Sequence, residues 1–284
     1  QTIRYVKVGA FGSGTSWVDA SGDLSAILNA AGPNTQVWVA KGKYKPTSYP
    51  AGCTDCMSSR DSAFLIKEGV ALYGGFFGNE TSISQRNIIV NETILSGDFN
   101  DNDIFSGNGS SLTITGNEEN AHHVVIAALS DIVSTTRIDG FTITGGNADG
   151  GLSDFITING HEISRWNGGG MYTTFGNNFF FNSRFIRNFA RHNGGGLYNY
   201  KGLNTIHNNN FSSNAAYWDG GGIYLEESNT DFYQNIFSAN YSDEDGGAIF
   251  ILSGRNSFIE IVISGNSASW DGGGIYVEHG DNSF

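Results

Sequence analysis

The 26-residue spacing of a glycine-aliphatic-aromatic motif constrains this 284-residue chain more than any other feature. Gly168-Gly169-Gly170-Met171-Tyr172, Gly194-Gly195-Gly196-Leu197-Tyr198, Gly220-Gly221-Gly222-Ile223-Tyr224, Gly246-Gly247-Ala248-Ile249-Phe250 and Gly272-Gly273-Gly274-Ile275-Tyr276 follow one another at that constant step. Phe185, Phe211, Phe237 and Ile263 keep it too, as do Asn188, Asn214, Asn240 and Asn266. So does the column Asn167, Asn193, Asp219, Asp245 and Asp271, which precedes the glycines. Registered columns of this kind are the signature of stacked repeats.

A unit of that length is too short for two helices with their turns. It suits three short strands joined by three turns. Stacked coils then hydrogen-bond each strand to its equivalents about 4.8 Å above and below. The expected fold is all-β: a right-handed parallel β-helix, a pectin-lyase-like solenoid. Met171, Leu197, Ile223, Ile249 and Ile275 would form one inward stack, and the Phe185 column another. The adjoining Tyr172, Tyr198, Tyr224, Phe250 and Tyr276 should point outward, because neighbouring strand residues face opposite sides. The Asn188 column reads as a turn ladder of stacked amides. Composition agrees: 40 glycines supply turns, and 20 Phe with 12 Tyr supply strands.

Before residue 168 the period is irregular but strands persist, at 36–40, 64–66, 70–73, 93–96, 123–127 and 140–144. One short helix is expected at about 24–31, capped by Asp23 or an earlier polar residue and stopped by Gly32. It would cover the open end of the first coil, an end that solenoids must protect. Inserts should leave the coil at 46–62, 99–120 and 148–166. In the last of these, taking Asn147 as the ladder residue leaves a far longer Asn-to-Gly gap than later coils have. The organisation expected is one domain over 1–284, with a cap region at 1–35, irregular coils at 36–166 and regular coils at 167–284. Phe284 takes the place of Phe258 in an unfinished coil, so we expect a longer protein of which this is the N-terminal part, or a partner over that end. Gln1 opens the chain without Met, which fits a mature product after signal removal or a trimmed chain.

The formal charge is −13, which argues against nucleic acid and anionic membrane surfaces as partners. From residue 203 onward Arg255 is the sole Lys or Arg, against eleven acids, so a polyanionic polysaccharide would be repelled there. No apolar run approaches the roughly 20 residues of a membrane span. Cys53 and Cys56 form a lone C-x-x-C in a Gly/Ser/Pro-rich stretch. A disulfide or a reduced pair is expected, because no second pair or nearby His completes a four-ligand metal site.

Several stretches resemble bacterial secreted β-helix repeat proteins. They are Tyr5-Val6-Lys7-Val8 through Gly12-Ser13-Gly14-Thr15-Ser16-Trp17, then Val37-Trp38-Val39-Ala40-Lys41-Gly42-Lys43-Tyr44-Lys45-Pro46. Gly69-Val70-Ala71-Leu72-Tyr73-Gly74-Gly75-Phe76 and Asp139-Gly140-Phe141-Thr142-Ile143-Thr144-Gly145-Gly146-Asn147-Ala148 continue the likeness. The Gly-Gly-Gly-Ile and Phe-x-x-Asn units are similar to repeats of polymorphic outer-membrane proteins. The resemblance implies a secreted or cell-surface protein of a Gram-negative bacterium, adhesin-like, with the type nine secretion machinery as a partner in export. The fold also hosts pectate-lyase-like enzymes, so it does not itself decide between binding and catalysis.

The residues admit several chemistries. A polysaccharide lyase needs a base beside cationic groups, and Arg184, Arg187, Arg191, His192 and Lys201, with Arg165 and His161 from the insert, are the concentration on offer. A glycoside hydrolase needs two carboxylates about 5–10 Å apart. Asp219, Asp245 and Asp271 would lie on adjacent coils beside Glu244, yet Asn167 and Asn193 in the same column favour a turn role. The same carboxylates would be the metal ligands if Ca²⁺ were a cofactor; no other cofactor is implied. Trp166, Trp218 and Trp270 precede that column on alternate coils, with His192 and Glu244 between. Together with Tyr198 and Tyr224 they could present rings to a glycan or a host-surface ligand; ring-on-ring stacking is the alternative. His122 and His123 precede an apolar strand and read as structural. The expected function is a non-catalytic, adhesin-like surface scaffold, for adhesion or glycan binding. The alternative is a lyase or hydrolase with its cleft near 148–166. Uniform ladders favour the scaffold; a groove of unlike converging polar groups would favour the enzyme.

Overall fold

The computed structural model describes residues 1–284, and its chain winds into stacked coils whose equivalent strands pair in parallel. Each regular coil has four short strands, where three were expected. In the first regular coil these are Met171–Thr174, Asn177–Phe181, Arg184–Ile186 and Phe189–Ala190. The unexpected fourth strand is only two residues long, and its equivalents form a five-stranded parallel sheet beside the nine-stranded and two seven-stranded ones. Its register keeps the step of the glycine motif, as in Phe189 opposite Ala215 and Ala215 opposite Tyr241. Two strands of the nine-stranded sheet, Thr2–Val6 and Thr135–Asp139, went unseen in the sequence, as did Gly42–Tyr44.

Chain geometry explains the glycine triplets. The first glycine of each, such as Gly168 and Gly194, has φ near +68°, where a side chain is strained. The second lies under a neighbouring coil: a Cβ on Gly195 would sit 2.2 Å from the Ala215 carbonyl oxygen.

Two apolar layers hold the coils. The inner core takes Met171, Leu197, Ile223 and Ile249 together with Phe185, Phe211 and Phe237, whose rings stack at 4.5 and 5.1 Å. A further inward column, Phe180, Ile206, Phe232 and Phe258, comes from the nine-stranded sheet. The tyrosine column does leave the inner core, but it is not exposed. Tyr172, Tyr198, Tyr224 and Phe250 are buried in a second cluster, each ring packed against the next at 4.8 to 5.5 Å, tilted at Tyr172–Tyr198 and stacked beyond it. Alternation predicts which side of the sheet a residue takes, not what lies over it.

The helix runs Leu24–Ala30, with the Asp23 carboxylate accepting from the Ala26 N–H. Leu24 and Leu28 enter the inner core, and the helix packs on Phe64–Leu65, the first strand of one seven-stranded sheet. No helix is long and apolar enough to cross a membrane.

The Asn ladder forms as a repeated hydrogen-bond unit. Asn214 Oδ1 accepts from both the backbone N–H and the side-chain Nδ2 of Asn188, at 3.1 and 3.0 Å. Asn214 then donates through Nδ2 to Asn240 Oδ1 and to the Phe185 carbonyl. The first rung is Gly146, whose N–H donates to Asn188 Oδ1. Asn147 instead pairs with Phe189, so the ladder position lies one residue earlier than the Asn147 alignment placed it.

Each of the three inserts leaves the coil and folds back on it. Segment 99–120 carries an antiparallel hairpin, Ile104–Ser106 with Thr113–Thr115. Segment 148–166 carries another, Phe155–Ile158 with His161–Ser164, whose Ile156, Ile158 and Ile163 join the tyrosine cluster. Segment 46–62 crosses that second hairpin through an antiparallel bridge, Thr54 with Thr157, and contains the Cys53–Cys56 disulfide, Cα atoms 6.0 Å apart.

Candidate functional site

The tryptophan column is real as a stack but does not present three equivalent rings. Trp166 is buried against Phe155 of the second hairpin, edge to face at 4.6 Å. Next comes His192, stacked on Trp218 with ring centres 3.7 Å apart. Burial and the neighbouring Arg191 depress the His192 pKa to about 4, so this imidazole is neutral at pH 7. Trp218 is 38% exposed and Trp270 69%, with Glu244 between them. Tyr198 and Tyr224 spend both faces on neighbouring rings, and the Tyr198 hydroxyl donates to Glu226 at 2.5 Å. Neither offers a ring face to a ligand.

The Asp column behaves as a turn ladder. Asp219 Oδ1 accepts the Asp245 N–H at 3.0 Å, and Asp245 Oδ1 accepts the Asp271 N–H at 2.7 Å. Asn167 and Asn193 accept from the next coil in the same way, because an amide oxygen and a carboxylate oxygen serve equally as acceptor. With the Asp219 and Asp245 oxygens directed along the ladder, the three carboxylates do not converge, and no group of three or more His, Cys, Asp or Glu is arranged to hold a metal. The residues therefore do not fit Ca²⁺ at this column. Burial raises the Asp219 pKa to about 6, with Glu244 and Asp245 adding repulsion.

The basic residues are dispersed among separate partners. Arg184 pairs with Glu92 at 3.1 Å, and Lys201 with Glu227. Arg187 lies over the Phe105 ring at 4.6 Å, and the His161 ring tilts against Phe175. Arg165 grips the fully buried Asp61 carboxylate through Nε and Nη2, at 2.6 and 3.0 Å. Burial alone would raise the Asp61 pKa; Arg165 and the Ser58 and Met57 N–H groups hold it below the ordinary value. Arg191 stands exposed to solvent. No cationic cleft is assembled near 148–166. His122 and His123 are buried, and burial depresses them to about 3 and 4. His123 Nδ1 lies 2.9 Å from the Gly168 carbonyl oxygen, a fixed structural contact.

What the columns did not reveal is a groove beside the 99–120 hairpin. This hairpin lies along the solenoid, and its turn at Gly109–Ser111 reaches the strands Tyr241–Ser242 and Ser267–Ala268. Between hairpin and five-stranded sheet lies a hollow of about 520 Å³, within the size range of small-ligand sites. Phe189, Tyr217 and Tyr241 give it aromatic walls; Asn117, Asn147, Asp149 and Asp243 give it hydrogen-bonding groups. Tyr241 donates its hydroxyl to Asp243 at 2.6 Å, and Tyr217 is 59% exposed. The position varies down its column (Phe189, Ala215, Tyr241, Ser267), where the inward columns and the Asn ladder keep one type of residue. That irregularity was the available signal.

On the hairpin's other flank a smaller hollow of about 310 Å³ is lined by Glu92, Asp98, Asp101, Asp103 and Arg187. Burial lifts Asp103 to about 6 against the opposing hydrogen bond from Asn120, with Asp98, Glu119 and Glu118 contributing repulsion.

These stacked parallel coils define a β-helix solenoid. The chain belongs to the right-handed β-helix family: the family described as "Right handed beta helix region" matches residues 131–284, more than half of it. No curated protein and no solved structure matches the chain at significant similarity.

Proposed function

We propose that this chain is a non-catalytic, adhesin-like scaffold that binds saccharides in the groove between the 99–120 hairpin and the five-stranded sheet. The observation that carries this reading is the lining: Phe189, Tyr217 and Tyr241 beside Asn117, Asn147 and Asp243. Aromatic faces pack on the apolar faces of pyranose rings, and amides and carboxylates bond their hydroxyls. Elsewhere the solenoid's polar side chains mostly serve each other, coil to coil. Display outside the cell of a Gram-negative bacterium, after export by the type nine machinery, is the location this reading adopts. It draws on the resemblance of the N-terminal motifs and on the disulfide, a bond typical of oxidising compartments.

A hydrolase reading is favoured by the groove's unlike polar groups, Asn117, Asn147, Asp149 and Asp243, and by the Asp103 carboxyl beside Asp98 in the second hollow, whose pKa of about 6 suits a proton donor. One experiment separates the two. An array of neutral and charged glycans is screened with the wild-type chain and with Tyr217→Ala, and reducing-end release is assayed in the same wells. The scaffold predicts binding without release, weakened about tenfold by Tyr217→Ala. Release abolished by Asp103→Asn would establish the hydrolase instead, and absence of any glycan binding would end the scaffold reading.

A further inference from the structure

Trp218, Glu244 and Trp270 follow one another up a single column. The Glu244 N–H donates to the Trp218 carbonyl and the Trp270 N–H to the Glu244 carbonyl, both at 3.1 Å. A coil rise of about 4.8 Å puts the two tryptophans roughly 9–10 Å apart, with the glutamate between them. His192 covers the Trp218 face on the side of the preceding coil, so the free face is turned toward Glu244 and Trp270. Both indoles reach solvent. The Glu244 carboxylate makes no ion pair and accepts no hydrogen bond. The Lys and Arg side chains of these coils are engaged elsewhere, Lys201 with Glu227 and Arg255 with Asp281.

Two exposed indoles around an unpartnered carboxylate make a slot for a cation, since an ammonium gains from the ring faces and from the full negative charge together. Asp219 lies close enough to both Glu244 and Asp245 to interact electrostatically, so the surroundings deepen the negative potential. The slot also continues the groove. Tyr217 and Asp243, which line the groove, immediately precede Trp218 and Glu244 in the chain. A saccharide lying in the groove would therefore extend over the slot. Resting on the saccharide reading above, we propose that the ligand is an amino-sugar polymer with free amines, one protonated amine being held between Trp218 and Trp270 over Glu244.

The test is calorimetric titration of the whole chain with a glucosamine hexamer, its fully N-acetylated counterpart, a neutral glucose hexamer and an arginine-rich peptide. Wild type is compared with Glu244→Gln and Trp270→Ala, after thermal melts establish that both variants fold. The expected result is glucosamine binding about tenfold tighter than binding of the N-acetylated hexamer and weakened by salt. Each substitution should reduce glucosamine affinity about 5- to 10-fold, and Glu244→Gln, which keeps a hydrogen-bonding oxygen, should lower neutral-saccharide affinity far less. Equal affinity for free and acetylated hexamers overturns the amino-sugar assignment while the saccharide reading stands. Tighter, Trp270-dependent binding of the peptide overturns it in favour of a peptide slot. No binding of any saccharide removes both.

Discussion

The coils before and after residue 167 are held together by different means. From 167 onward each coil repeats its neighbour, and the same hydrogen bonds recur rung by rung: Asn188 to Asn214, Asn214 to Asn240, Asn240 to Asn266. Stability there is shared among equivalent contacts. Before 167 the coils are tied by contacts that occur once. Arg86 bonds Asp139, Arg60 bonds Asp149, and Arg165 bonds Asp61, between residues 53 to 104 positions apart. The Cys53–Cys56 loop and the second hairpin lie over the tyrosine cluster as a strap. A repeated coil needs no special partners because its neighbour presents the matching groups; an irregular coil must find partners in distant segments.

The contrast is tested most strongly at Asp61. Arg165→Met should destabilise the chain by about 3–5 kcal/mol, because it leaves a carboxylate with no exposed side-chain surface unpaired. Urea unfolding would measure the loss, and adding Asp61→Asn should restore part of it. A single variant as stable as wild type would show that the strap contributes nothing. The ladder comes next. Asn214→Leu keeps the branched outline, adds some bulk and removes the acceptor of the Asn188 N–H and Nδ2, for a loss of about 2–4 kcal/mol. Hydrogen exchange should rise on the coils either side of 214 while the 155–164 hairpin stays protected; uniform exchange would mean the two regions are not separable.

The smallest effect is expected in the Asp column and depends on pH. Asp219 titrates near 6 in the folded chain, above its ordinary 3.8, so the folded state retains a proton that the unfolded state has released. Its contribution to stability therefore falls as pH rises from about 4 to 6 and is constant above. Asp219→Asn keeps the acceptor for the Asp245 N–H and removes the titration. It should match wild type at pH 4 and exceed it by about 1 kcal/mol at pH 7, after discounting for the partial exposure of the site. A constant difference between pH 4 and pH 7 would refute the assignment.

The solenoid was legible because translation repeats every contact: a column such as Phe185, Phe211 and Phe237 is both a pattern in the chain and a stack in space. The Asn turn ladder followed from the same logic. The two-residue fourth strand was not legible, since Phe189–Ala190 is too short to show alternation. Tyr198 and Tyr224 were placed on the correct side of the sheet, but their coverage came from stacking and, at Tyr172, from a hairpin that precedes it in the chain.

The candidate site shows where the division lies. The repeat period, the inward columns, the helix at 24–30 and the acidity of the later coils are properties of the chain read in order. The landing place of the 99–120 hairpin, and with it the groove beside Tyr217 and Tyr241, was decided only in three dimensions. So was the exposure of Trp218 and Trp270 but not Trp166, which Phe155 covers. Inserts leave the coil with no neighbour to set their register, so their contacts are made with whatever surface the finished solenoid presents.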